Sequence, residues 1–274
     1  MPAIDDLRDL LERQRRAIER SEPGVREGAD PENLHRFRVA TRRSRALIRA
    51  SRPLVRDQLA ALDRELRWLA GSTGAVRDLD VLIARLRGLV PELDPDQAGA
   101  ESIVAALERE RLRQRDSLLA VIDTGRYREL LARFESVVPT LRVTDTSVAL
   151  ARLARKELDR LRAEYDDLGK SPSDDDLHSV RIHAKHARYS AELAATSEGE
   201  PFARLAESLS KVQDVIGDHQ DAVVAELRVR ALASDESRLA AGRIVELERA
   251  RRRQARAELP DAMKSVERRA HAAF

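Results

Sequence analysis

Apolar residues return at helical spacing along nearly the whole chain, and no strand-like alternation of apolar and polar positions interrupts them. Over residues 4–20, Leu7, Leu10, Leu11, Gln14 and Ile18 share one helix face, and Pro23, Gly24 and Gly28 predict the break that follows. Asp30-Pro31 predicts the next start, an N-cap followed by proline at the first helical position. That helix carries Leu34, Phe37, Thr41, Ile48 and Val55 on a mostly apolar stripe, and Pro53 predicts its end. Leu59, Leu62, Leu66 and Leu69 predict a third helix to about Gly71, and Arg77-Asp78-Leu79-Asp80 lies in a fourth running from Gly74 to Gly88. Pro91 and Pro95 mark a loop, 98–122 reads as a long charged helix, and a short one follows Gly125. The least helical stretch is 137–146, VVPTLRVTDT. Beyond it the spacing predicts helices near 146–168, 174–196, 201–216, 218–233, 236–257 and 260–271, separated at Gly169, Pro172, Gly199, Pro201, Gly217 and Pro260.

The order of these features repeats at an offset of 143 residues. His35, Arg38 and Arg45 map onto His178, Arg181 and Arg188, Val39 onto Ile182, and Arg42 onto Lys185. In the same register Leu62 and Leu66 meet Leu205 and Leu209, Gly74 and Asp78 meet Gly217 and Asp221, and Arg85 and Arg87 meet Arg228 and Arg230. A fixed register over so long a stretch predicts an internal duplication, with halves at 1–140 and 141–274. Helix–loop–helix units with short connections predict antiparallel packing. The expected fold class is therefore all-α, two tandem, internally duplicated antiparallel helical bundles.

Composition sharpens this picture. Aromatic residues make up only 3% of the 274 positions, so the core must be built from Leu, Ala, Val and Ile. The absence of cysteine excludes disulfides, thiol catalysis and thiolate metal sites. No run of 18 apolar residues is present, and the opening MPAIDDLRDL lacks the order of a signal peptide, so a soluble cytoplasmic protein is expected. Net charge is only +2, which argues against a general polycation and for segregated charge. Five of the fifty cations are Lys. A GC-rich genome enriches Arg everywhere, so position matters more here than number.

The positions are informative. From Asn33 to Arg56 there is no Asp or Glu, against eight Arg and one His. His35, Arg38, Arg42, Arg45, Arg49, Arg52 and Arg56 advance in alternating steps of 3 and 4, a heptad rhythm carried by cations instead of Leu and Ile. On a helix they occupy a stripe roughly 100° wide and about 30 Å long, beside the apolar seam. Like charges at such spacing destabilise a helix by a few tenths of a kcal/mol per pair, and a partly desolvated guanidinium needs an acceptor. Either carboxylates of neighbouring helices answer this stripe, or a ligand does.

His35-Arg36-Phe37-Arg38-Val39-Ala40-Thr41-Arg42-Arg43-Ser44-Arg45 resembles the signature of the CHAD family, the histidine-bearing α-helical domain. Its counterpart runs from His178 to Tyr189, and Gly74-Ala75-Val76-Arg77-Asp78-Leu79-Asp80 resembles the family's Arg-Asp-x-Asp element. The resemblance covers essentially the whole chain. It implies two similar bundles about a pseudo-twofold axis and binding of inorganic polyphosphate in a shared basic groove, without catalysis and without a cofactor. It also implies polyphosphate granules as a cellular partner. The ligand contacts it implies are His35, Arg38, Arg42, Arg45 and Arg49, with His178, Arg181, Lys185 and Arg188 in the second half. The second copy departs from the pattern. His186 stands where the family pattern has Arg, and Glu192 stands at the position equivalent to Arg49, so the second half offers fewer permanent charges.

Other constellations are weaker. His183-x-x-His186 has metal-ligand spacing on a helix, but no Cys or HExxH pattern accompanies it, and surface histidines are the expectation. Asp78-x-Asp80 and Asp218-His219-Gln220-Asp221 read as acids that cap helix starts after Gly or pair with Arg. No P-loop, nucleophile motif or apposed carboxylate pair points to an enzyme. Phe37, Trp68 and Tyr189 are too few for the stacking platform of a single-strand binder. The alternative to polyphosphate binding is a protein or nucleic-acid interaction scaffold whose Arg stripe is salt-bridged structure.

Overall fold

A computed structural model describes residues 2–144 and 149–274. Among them the architecture is all-α, without strands. The helices are α1 (Pro2–Glu27), α2 (Pro31–Val55), α3 (Ala60–Leu89), α4 (Gln97–Ile122), α5 (Gly125–Val137), α6 (Leu150–Asp166), α7 (Asp174–Glu198), α8 (Glu200–Leu232) and α9 (Arg238–Ala273). The helix start expected at 146 lies outside the described residues.

The local chemistry accounts for several ends. Asp30 caps α2 by accepting a hydrogen bond from the Glu32 N–H, with Pro31 behind it. Ser173 and Asp176 form a reciprocal capping box at the start of α7. Gly28 and Gly199 stop α1 and α7 with φ of 75° and 79°, which only glycine adopts without strain. Two carbonyls at the end of α1, those of Arg26 and Glu27, are closed off by the Arg115 guanidinium. Helices α2 and α7 have the same length, 25 residues, and their bounds are offset by 143.

Most of the predicted internal breaks are absent. Helix α1 continues through Pro23 and Gly24, α2 through Pro53, α3 through Gly71 and Gly74, α8 through Gly217, and α9 through Pro260. A glycine costs a helix about 1 kcal/mol and a proline about 3. A continuous buried stripe outweighs that. In α3 it runs Leu62, Leu66, Leu69, Val76, Leu79, Ile83 and Leu86 across both glycines, and in α9 Leu259, Met263 and Val266 carry it past Pro260. Each such side chain contributes about 1.5–3 kcal/mol when fully buried. One consequence is that Asp78, Asp80, Asp218 and Asp221 lie inside helices and cap none.

The chain divides into two compact units, the first comprising 1–80 and 111–153, the second 81–110 and 154–274. In the first, α1 packs along α2. Phe37 and Tyr127 meet in its core with ring centroids 6.3 Å apart, and the Tyr127 hydroxyl donates to Glu22 at 2.9 Å. Burial and that carboxylate push the phenol pKa up. In the second unit, α7 packs on α8 and α8 on α9. Its core combines Leu158 and Leu161 of α6, an alanine-rich face of α7 (Ala184, Ala187, Ala191), Leu205, Leu209, Val212 and Ile216 of α8, and Leu259, Met263 and Val266 of α9. Charged clasps supplement it. Glu248, 0% exposed, is held by Arg85 through contacts of 2.5–2.9 Å and by Arg251 at 2.8 Å. Asp174 receives both Arg252 and Arg256.

Candidate functional site

In the first unit α3 runs back along α2, and three residues of α3 at i, i+3 and i+4 face the cationic row. Gly74 leaves room for Arg38, whose Nη1 lies 3.0 Å from where a β-carbon on that glycine would sit. Asp78 accepts a hydrogen bond from Arg38 Nη2 at 3.3 Å. Arg77 acts on His35. Farther along, Asp63 of α3 accepts from Arg45 Nε at 3.1 Å.

His35 is half-buried and Arg42 exposed, and neither makes a hydrogen bond or ion pair among the described residues; the same holds for half-buried Arg77. Arg49 is exposed. The row therefore alternates between cations answered by α3 carboxylates, Arg38 and Arg45, and cations that are not, His35 and Arg42. His35 reports the resulting field. Burial lowers its pKa, Arg77 lowers it further, and Arg42 and Arg38 add to the effect, with Glu32 alone opposing. Burial first, and then the surrounding cations, disfavour the charged form of this imidazole.

In the second unit α7 carries the equivalent row. His178 and Lys185 are exposed and Arg181 half-buried. The Nε of Arg181 is buried without an acceptor among the described residues. Arg188 is occupied, bonding Glu192 at 2.9 Å and Gln213 at 3.5 Å, with its guanidinium 5.4 Å from the centroid of the Tyr189 ring. Glu192 thus answers a cation at the position where α2 has Arg49. His183 and His186 meet edge to face at 6.2 Å, and His183 lies 3.8 Å from Glu164. Among the described residues no group of three or more His, Cys, Asp or Glu could hold a metal ion.

Arg77 is the residue that the reading of the sequence left out of the site. The signal was available in its spacing, since Gly74, Arg77 and Asp78 share one helix face. What the sequence does not say is that this face turns toward His35 and Arg38.

Among the described residues no helix is long and apolar enough to cross a membrane. Comparison with solved structures finds the fold in PptA from Streptomyces chartreusis, with a TM-score of 0.75 and 21% identity over 96% of this chain and 100% of that one. The CHAD domain from the plant Ricinus communis matches with a TM-score of 0.74 and 23% identity, over 97% of this chain and 92% of its own. An uncharacterized protein of Mycobacterium tuberculosis, MT2285 in strain CDC 1551 / Oshkosh and Rv2226 in strain ATCC 25618 / H37Rv, is 32% identical over 206 residues. That match spans 70% of this chain but only 38% of the relative's length. The CHAD domain family model matches residues 9–230, which include the α2 row, its α3 partners and the whole α7 row. The chain belongs to the CHAD domain family.

Proposed function

We propose that this protein binds inorganic polyphosphate along the α2 row, with the α7 row taking the same class of ligand more weakly, and that it does so without catalysis. The observation that carries this reading is the uncompensated charge around His35. Arg42 and Arg77 lack carboxylate partners among the described residues, and after burial, the larger cause, they act with Arg38 to lower the pKa of the imidazole. A linear polyanion answers a row of guanidinium groups, and release of its condensed counterions supplies much of the affinity. The exposure of His178 and Lys185 supports the same ligand class on α7. Family membership supports polyphosphate in particular over other polyanions, and a cytoplasmic protein at polyphosphate granules is the corresponding cellular setting.

The ion pairs of Arg38, Arg45 and Arg188 favour the second reading, a scaffold whose stripe is structural. Titration of long-chain polyphosphate, tripolyphosphate, single-stranded RNA and duplex DNA at matched salt separates the two. Polyphosphate should bind tightest, with log K falling linearly in log salt. Arg38, Arg42 and Arg45 all changed to Glu should abolish binding while helicity by circular dichroism persists. A folded triple variant with unchanged affinity would show the stripe to be structural.

A further inference from the structure

Resting on the polyphosphate reading, we propose that Asp63 and Asp78 are built-in competitors of the ligand, carboxylates that occupy Arg45 and Arg38 in its absence and set both affinity and salt response. The geometry of the two pairs differs from that of the pairs that hold the second unit together. Arg252 grips both oxygens of Asp174 at 2.8 Å, and Arg85 reaches Glu248 with Nε and Nη2. Among the described residues, by contrast, one hydrogen bond at 3.3 Å joins Arg38 to Asp78 and one at 3.1 Å joins Arg45 to Asp63, which also takes Arg67 at 3.5 Å. Asp78 is 67% exposed, so releasing it to water carries little desolvation penalty. Asp63 is 26% exposed and keeps Arg67 when Arg45 leaves it, and in both pairs a phosphate oxygen offers the guanidinium a charge-assisted bond in place of the carboxylate.

The placement along the helix adds a consequence. Arg38 and Arg45 are two turns apart, about 10 Å at helical rise, and between them stands Arg42, which has no carboxylate partner among the described residues. A lone phosphate can use Arg42 and displace neither carboxylate. A chain that spans the row gains its flanking contacts only by ejecting Asp78 and Asp63. Each ejected carboxylate recovers a cation from solution, which partly cancels the counterions that the polyphosphate releases. The two aspartates therefore hold down the affinity for the long ligand and flatten its salt dependence, while they have little effect on a single phosphate.

The test compares wild type with Asp63→Asn, Asp78→Asn and the double variant by titration with orthophosphate and long-chain polyphosphate at several salt concentrations. Asn keeps an oxygen acceptor for the guanidinium and removes only the charge. Asp5→Asn, which breaks a pair with Arg8 on α1, controls for the change in net charge. Each seam substitution should tighten long-chain polyphosphate about fivefold at low salt, and should steepen the slope of log K against log salt by close to one. Orthophosphate binding and the Asp5→Asn protein should change little. The alanine variants of both sites decide the opposite case, in which the aspartates orient their arginines for ligand. Competitors removed as Ala still tighten binding, whereas orienting residues removed as Ala weaken it. Unchanged or weakened polyphosphate binding in folded Asn and Ala variants would overturn the proposal and leave the polyphosphate reading standing. Failure of wild type to bind polyphosphate in the same titration would overturn both.

Discussion

Arg38 lays its guanidinium against the bare backbone of Gly74, its Nη1 3.0 Å from where a β-carbon would stand. The glycine sits inside α3, where it costs helix stability, so its removal has two opposed effects that different measurements separate. Gly74→Ala should gain about 0.5–1 kcal/mol of helix propensity, and Arg38, being flexible at its tip, should yield by a few tenths of an ångström. Stability in urea should be unchanged or slightly raised, and polyphosphate affinity should fall two- to threefold as Arg38 is pushed off its place. Gly217→Ala is the comparison, because nothing stands within 4 Å of a β-carbon there. It should raise stability and leave affinity alone. Equal affinities for both variants would show that the Arg38 approach to Gly74 has no bearing on ligand.

Affinity should depend on pH through His35. In the unliganded protein, burial and then Arg77, Arg42 and Arg38 place its pKa below the ordinary value of about 6.5. A phosphate chain in the row favours the imidazolium and raises that pKa, so binding takes up protons. By linkage, affinity must increase as pH falls from about 8 toward the pKa of the unliganded protein. The arginines stay protonated throughout and add nothing to the slope. His35→Gln should therefore keep Arg-driven binding while flattening the pH profile. A variant with the wild-type slope would exclude His35 as the titrating group.

The fully buried Glu248 gives a stability prediction that no ligand enters. Arg85 from the α3 end and Arg251 from α9 both converge on it. Glu248→Ala strands two guanidinium groups, of which Arg85 is largely out of water, and should cost about 3–5 kcal/mol. Replacing the pair together, Arg85→Met with Glu248→Leu, should recover most of that loss. Equilibrium denaturation of wild type, Arg85→Met, Glu248→Leu and the double variant measures the coupling, and simple additivity of the two single losses would show that the pair is not coupled.

What could be read from the chain follows from which interactions are local. The all-α class and the Asp30-Pro31 and Gly199 boundaries rest on periodicity and capping, both short-range properties. The continuity of α3 through Gly71 and Gly74, and of α9 through Pro260, depends on stripes buried against other helices, which propensity alone cannot weigh. The site divides in the same way. Spacing placed His35, Arg38, Arg42 and Arg45 on one face of α2, but their partners Asp78, Asp63 and Arg77 come from a helix packed antiparallel to it. Likewise, the Asp218–Asp221 motif reads in isolation as acids that cap a helix start or pair with Arg. In the structure its histidine is a buried part of the clasp around Asp174.

That histidine, His219, should make the second unit acid-sensitive. It is 2% exposed, and its Nε2 accepts a hydrogen bond from Arg256 Nε at 3.0 Å, so the proton of the neutral ring sits on Nδ1, which is buried without a partner among the described residues. The Asp174 carboxylate lies 3.4 Å away but is shared with Arg252 and Arg256 from α9. Glu226, also on α8, is engaged by Arg230, Arg249 and Arg252. Burial first, then Arg256, with Arg252 adding and Asp174 opposing, lowers the pKa of His219. A second proton on this ring would also end its acceptor role toward Arg256. The direction of the pH effect follows. Unfolded, the group titrates near 6.5, so below that pH the unfolded chain takes up a proton that the folded one refuses. Its contribution is complete above about pH 7 and is lost as pH falls toward the folded-state pKa, at up to about 1.4 kcal/mol per pH unit. His35 shifts in the same direction, so only a difference measurement isolates His219. Urea midpoints of wild type and His219→Gln between pH 8 and 5 supply it, since Gln retains an oxygen to accept from Arg256 and does not titrate. The wild-type midpoint should drop more steeply on acidification, and the two curves should converge at the acid end. Parallel curves across the whole range would show that His219 is not the acid-sensitive member of the clasp.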